Sequence, residues 1–204
     1  LHKEKYNKFA FSLQIHFEPN HLDQVAHAKI KDLLLKELSV KGEENFKIKD
    51  YGNLFECNML PEITFLTVSH EQIFAIFDAS NSTKEGVDVI KNITSGMNKI
   101  LQGKLVAKRV GIAINYKWNY KKNMSKDTMQ MKQFVISSNE MLEDNLNFNI
   151  MMQEEALEKI VAVDLFVKAK LTDMDLISKI DIIYNNAVNN WSLEKLLKRL
   201  NPSK

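Results

Sequence analysis

Cysteine, proline and glycine are scarce in this chain of 204 residues, with one, three and six of each. The single thiol, Cys57, excludes an internal disulfide and leaves no cysteine framework for structural zinc, so a reducing cytoplasm is the expected compartment. With so little Pro and Gly, no stretch has the composition of a linker or a disordered tail. No apolar run approaches the roughly 20 residues of a membrane span. The chain opens on Leu1 without a charged-then-apolar leader, which is read as a trimmed start, and no membrane partner is expected. Also missing are the GxxxxGK and GxGxxG phosphate loops, the GxSxG elbow and the HExxH zinc motif. No cofactor is expected, no catalytic residue is assigned, and an enzyme is the less favoured class.

What remains is ample material for a core. Apolar residues make up 45% of the chain, and the net charge is only +2. The charge is unevenly placed. Residues 99–132 hold nine Lys or Arg against one acid, and residues 133–166 hold seven acids against one Lys. Such asymmetry predicts either a dipolar surface or complementary patches between subunits. The abundance of Lys, Asn and Ile points to an AT-rich bacterial genome.

Alternation is clearest in "FAFSLQIHF", where Phe9, Phe11, Leu13, Ile15 and Phe17 share one face and Ala10, Ser12, Gln14 and His16 the other. Asn20 then offers a cap for a helix over 21–38, with Gly42 beyond its end. Extended segments follow in "FKIKDY", "NLFECNML", "EITFLTVS" and "QIFAIFDAS". Of these "IFAIF", apolar on both faces, reads as an interior strand. A second helix is predicted over 84–101, then the long strand "LVAKRVGIAINYKWNY". Residues 124–144 fit helix or strand equally. "LNFNIMM" and "IVAVDLFVKA" alternate, a helix spans 173–190, and Ser192 caps a short helix "LEKLLKRL".

The predicted class is α+β: a two-layer sandwich in one domain over 1–204. Residues 9–120 would form a ferredoxin-like βαββαβ half, with helices on one face of an antiparallel sheet. Residues 121–204 would add strands and two C-terminal helices.

Three groups of residues are candidates for function. In "INYKWNYKKN", strand parity puts Tyr116, Trp118 and Tyr120 on the face of Val110, Ile112 and Ile114, as aromatics finishing a core strand. An overhanging strand end would instead let Arg109, Lys117, Trp118, Lys121, Lys122 and Lys126 bind nucleic acid by stacking and phosphate contact. The leucine stripe of Trp191, Leu193, Leu196, Leu197 and Leu200 is a candidate protein interface. The corner "HFEPNHLDQVAH" offers His16, Glu18 and His21 as imidazole and carboxylate metal ligands, and Asp78 and Asp164 at strand positions suit a metal-dependent hydrolase or nuclease.

"FAFSLQIHFEP", "KRVGIAINYKW" and "VDLFVKAKLTDMDLISKIDIIYNNAVNNW" together resemble an uncharacterised, sporadically distributed bacterial family. That family carries an early aliphatic–Glu–aliphatic–Arg–Phe strand and a later Arg–Ile–Gly–Leu–Arg–Tyr–Asn strand. Arg109, Gly111, Asn115 and Tyr116 fit the later motif in part: Ala113 stands where the family has its second Arg, and the Tyr–Asn order is reversed. The resemblance implies no catalytic residues and an accessory role in a mobile-element or defence system. The function expected is therefore non-enzymatic binding or assembly, with a protein partner or self-association. Nucleic-acid binding and metal-dependent hydrolysis are the alternatives.

Overall fold

A computed structural model describes residues 7–38, 47–58, 63–78, 83–119, 132–137, 141–155 and 158–200. The chain runs β1 (Asn7–Phe17), α1 (Gln24–Leu38), β2 (Lys47–Asp50), β3 (Leu54–Asn58), β4 (Phe65–Ser69), β5 (Gln72–Asp78), α2 (Thr83–Ile100) and β6 (Val106–Asn119). It continues through β7 (Lys132–Ser137), β8 (Asn147–Glu155), β9 (Glu158–Val167), β10 (Leu171–Thr172), α3 (Asp173–Asn185) and α4 (Leu193–Leu200). Nine strands form one antiparallel sheet in the order β2-β3-β4-β5-β1-β6-β9-β8-β7. Short β10 extends the β9 edge of β6: Val110 pairs with Val167, and after a one-residue slip Ala107 pairs with Leu171. The architecture is mixed α+β.

The alternation in the sequence decides which face the helices cover. Leu13, Ile15 and Phe17 of β1, Ile73, Ala75 and Phe77 of β5, and Val110 and Ile112 of β6 are fully buried on one side. So are Ile30 and Leu34 of α1, Ile90, Ile93 and Met97 of α2, and Ile180 and Ile183 of α3, which pack in the same cluster. Helices α1 and α2 meet closely at Gly96, where a Cβ would come within 2.6 Å of both Leu33 methyl carbons. At the other end of α1, His27 stacks on Phe55 of β3 with ring centroids 4.4 Å apart, and its Nε2 lies 3.0 Å from Asp50 Oδ1. The Gly52 N–H, and then His27, hold the Asp50 carboxyl below its ordinary range.

Three local readings change. Helix α1 starts at Gln24 and is capped by Asp23, whose Oδ1 accepts from the Ala26 N–H at 2.7 Å. Asn20 instead accepts from the His21 N–H and donates to the Lys104 carbonyl. Of the ambiguous stretch 124–144, residues 132–137 are strand β7, and 143–145 form a 3₁₀ turn. The helix expected over 173–190 stops at Asn185 and widens into a π turn, Asn186–Asn190. Buried Asn186 explains the change. Its amide donates to the Ile182 carbonyl and to Asp144 Oδ2 at 3.0 Å, and its Oδ1 accepts from Asn190. Such side-chain bonds compete with the regular helical ladder.

Ser192 does cap α4, accepting from the Lys195 N–H at 3.3 Å. Leu193 and Leu196 are buried in the chain's own core, and Trp191, Leu197 and Leu200 pack against it half-buried. The leucine stripe that the sequence offers as an interface thus lies against the fold. Leu196→Ala should lower unfolding stability by about 2–5 kcal/mol in urea titration without changing the particle mass. A variant of wild-type stability and lower mass would restore the stripe as an interface.

Candidate docking face

Because the four helices share one side of the sheet, residues of the opposite parity make a second face that no described helix covers. The register arranges that face in rows. One row crosses eight strands: Lys47, Asn58, Phe65, Ile76, Ser12, Ala113, Asp164 and Asn149. Beside it run Lys49, Glu56, Thr67, Phe74, Gln14, Gly111, Phe166 and Asn147. On the other side of the first row lie Asp78, Ala10, Asn115, Ala162 and Met151.

Two centres stand out. On β4 and β5, Phe65 and Phe74 meet edge to face at 6.3 Å, half-buried beside Ile76. On β6 and β9, Arg109 donates from Nη2 to Asp164 Oδ2. The guanidinium reaches along β6 past Gly111 and lies over the Phe166 ring, 4.6 Å from its centroid, while Lys168 Nζ sits 5.6 Å from the same ring. Gly111 makes the arrangement fit. A Cβ there would come 2.9 Å from Phe166 Cβ, 3.0 Å from Arg109 Nη1 and 3.0 Å from Asp164 Oδ1. Burial pushes the Asp164 carboxyl above its ordinary range, and the charge and hydrogen bond of Arg109 oppose that shift only in part. Nη1 of Arg109 is buried without a hydrogen-bond partner.

A second ion pair lies on β2 and β3. Lys49 Nζ donates to Glu56 Oε1 at 3.0 Å, and Asn58 supports the same oxygen. Glu56, through that hydrogen bond, raises the Lys49 ammonium, and Lys49 lowers the Glu56 carboxyl. His16, in register with Arg109, is lowered by burial and then by Arg109 and Lys108, which favours its neutral form.

The predicted sites separate on this framework. Arg109 and Lys117 share the open face, but Arg109 is held by Asp164. The Trp118 side chain and Lys121, Lys122 and Lys126 lie outside the described residues. His16, Glu18 and His21 do not converge: Lys170 holds Glu18 at 2.9 Å and His21 is exposed. Among the described residues no three His, Cys, Asp or Glu side chains are grouped to hold a metal. Asp78 and Asp164 stand three strands apart in the order β5-β1-β6-β9, about 14 Å at the usual strand spacing. Cys57 is buried, its thiol pushed up to about 12. A dimple lined by Thr94, Asn98, Asp173 and Leu176 has no space for a water-sized sphere.

The chain matches no protein-family model and no curated protein sequence.

Sequence reasoning passes over Phe65, Phe74 and Ile76, the half-buried apolar side chains of the open face, and Phe166, buried beneath Arg109. One signal was present: "IFAIF" is apolar at both parities, and only one parity can face the helices. Gly111 within a strand is a second signal, since an interior strand glycine marks a close approach.

Removing Arg109 leaves the Asp164 carboxylate without its counter-charge. With the folded-state value raised above that of the unfolded chain, this group favours folding below about pH 4, and that contribution is lost as pH rises through the raised value. Arg109→Met raises the folded value further, so its stability deficit should widen from pH 4.5 to pH 7.5. A loss of about 1–3 kcal/mol is expected at pH 7.5, since the pair is partly solvated. Urea unfolding at both pH values checks it. Equal deficits at the two would show that the carboxylate does not depend on Arg109. Gly111→Ala should cost about 1–3 kcal/mol by overpacking in the same assay.

Proposed function

We propose that the chain is a non-enzymatic binding or assembly protein that docks a protein through the open face of its sheet. One observation carries the reading: the face holds half-buried Phe65, Phe74 and Ile76 together while two of its cations are held by carboxylates, Lys49 by Glu56 and Arg109 by Asp164. A polyanion binds by neutralisation, and cations already held by carboxylates are poorly disposed for it. An apolar patch framed by satisfied polar groups suits protein contact. No helix of the described chain is long and apolar enough to cross a membrane.

The first half is read as a ferredoxin-like βαββαβ unit enlarged by the β2–β3 hairpin. The strand order β4-β5-β1-β6, with α1 and α2 in the two connections, supports that reading. The pairing of β6 with both β1 and β9 supports treating the two halves as one domain.

A photoreactive phenylalanine analogue placed at position 74, and separately at Val25 on exposed α1 as control, tests the docking reading in the native cells. Covalent protein adducts are expected from position 74 and not from position 25. Nucleic-acid adducts at position 74, or none, would overturn it.

A further inference from the structure

We propose that strand β7 pairs with β7 of a second copy of this chain, antiparallel and about a two-fold axis perpendicular to the sheet, so that two sheets join into one. The contact lies at the sheet edge and is independent of the open-face reading above.

The two edges of the sheet are built differently. Strand β2 is four residues long and charged at three of them, with Lys49 held by Glu56 and Asp50 by His27 and Lys31. A short, charged edge is a common guard against strand addition. Strand β7 runs for six residues, and its last five, Gln133 to Ser137, carry neither charge nor proline. It bonds to β8 along one side, and among the described residues nothing pairs with the other. Such an edge offers a row of backbone donors and acceptors to a further strand.

Charge selects which strand that is. The change from the basic stretch of the chain to the acidic one falls at β7. Residues 121–132, leading into and including its first position, hold four lysines against Asp127. Residues 138–145, which follow it, hold Glu140, Glu143 and Asp144 and no cation, and Glu143 and Asp144 are exposed. In an antiparallel pair of β7 strands the start of one lies beside the end of the other. Each basic approach then meets an acidic exit, twice by symmetry, whereas a parallel pair would set like charge on like. The strand is complementary to itself, as an isologous contact requires.

Strand parity narrows the register. A two-fold axis perpendicular to the sheet keeps the helix-covered sides of both copies together, so only residues of equal parity face each other and one residue must face itself. Phe134 and Ile136 stand in register with Met152 and Ile150, on the side where Ile150 is buried, and Val135 stands opposite exposed Met151 on the open side. With Val135 on the axis, Phe134 of each copy faces Ile136 of the other, and Gln133 faces Ser137. With Phe134 on the axis, Lys132 would instead face Ile136. The first register joins aromatic to β-branched and leaves no charge opposite an apolar residue, so Val135 is placed on the axis.

Sedimentation equilibrium of the purified chain, with circular dichroism as the check on folding, provides the first test. The wild type should sediment at twice the chain mass of 23.6 kDa, and more weakly associated as salt is raised. Val135→Lys sets two like charges directly opposite each other at the axis and should weaken association by at least about 10-fold. A monomeric wild type at every concentration, or a dimer that folded Val135→Lys leaves intact, overturns the inference.

Cysteine pairing adds the register and decides alone if Val135→Lys unfolds. The native thiol, Cys57, is buried and leaves the background low. Paired Cα atoms lie about 4.5–5.5 Å apart, within disulfide reach, so oxidised Val135→Cys should form a covalent dimer. Gln133→Cys should not, because its two copies would stand about 13 Å apart along the strands. Gln133→Cys mixed with Ser137→Cys should cross-link. Equal cross-linking of Val135→Cys and Gln133→Cys, or of neither, overturns the pairing.

Discussion

Strand β6 is the element on which the rest of the molecule depends. Its fourteen residues bond to β1 along one edge and to β9 and β10 along the other, so the two halves of the chain share one sheet instead of forming two. That continuity sets a constraint. Strand side chains alternate strictly, and four helices placed on one side leave the alternate set of every strand without helical cover. Such a set must be solvated, paired internally or docked. The chain uses the first two in places: Asn149 and Gln14 are half-exposed and Arg109 is paired with Asp164, while Phe65 and Phe74 stay half-buried on that side.

The Arg109–Asp164 pair is better understood as a device for register than as a source of stability. Taking both charges partly out of water costs much of what their attraction returns. A one-residue slip of β9 against β6, however, would carry Asp164 to the helix-covered face, where no described cation awaits it, and would strand the guanidinium. Gly111 sharpens the requirement. A Cβ there would come too close to Phe166 Cβ and would crowd the ends of both partners, so the pair is accommodated by a glycine at this point of β6.

Much of this architecture is legible in the sequence because it rests on periodicity. The two faces of β1, the interior position of β5, the alternation of β8 and β9, and the span of α2 follow directly from apolar spacing. What escapes depends on choices between locally equivalent signals. Asn20 and Asp23 are both competent caps, and Asn20 is engaged instead with the Lys104 carbonyl, 84 positions away. The π turn depends on Asn186 reaching Asp144, a partner 42 positions away. Likewise Arg109 is conspicuous as a cation, but its partner lies 55 residues further on and becomes adjacent only through the β6–β9 register. The leucines of α4 look like an interface because an amphipathic stripe does not say which apolar surface it meets.

The same register resolves the uneven charge distribution along the chain. A basic stretch followed by an acidic one suggests a molecule with two oppositely charged faces, but β6 belongs to the first stretch and β9 to the second, and the two are neighbours. Charges from the two stretches can therefore meet across these strands, as Arg109 and Asp164 do. On the open face the register thus leaves two internal ion pairs, Lys49 with Glu56 and Arg109 with Asp164, beside the edge-to-face contact of Phe65 and Phe74, so the cations nearest the aromatic and apolar groups are already opposed within the chain.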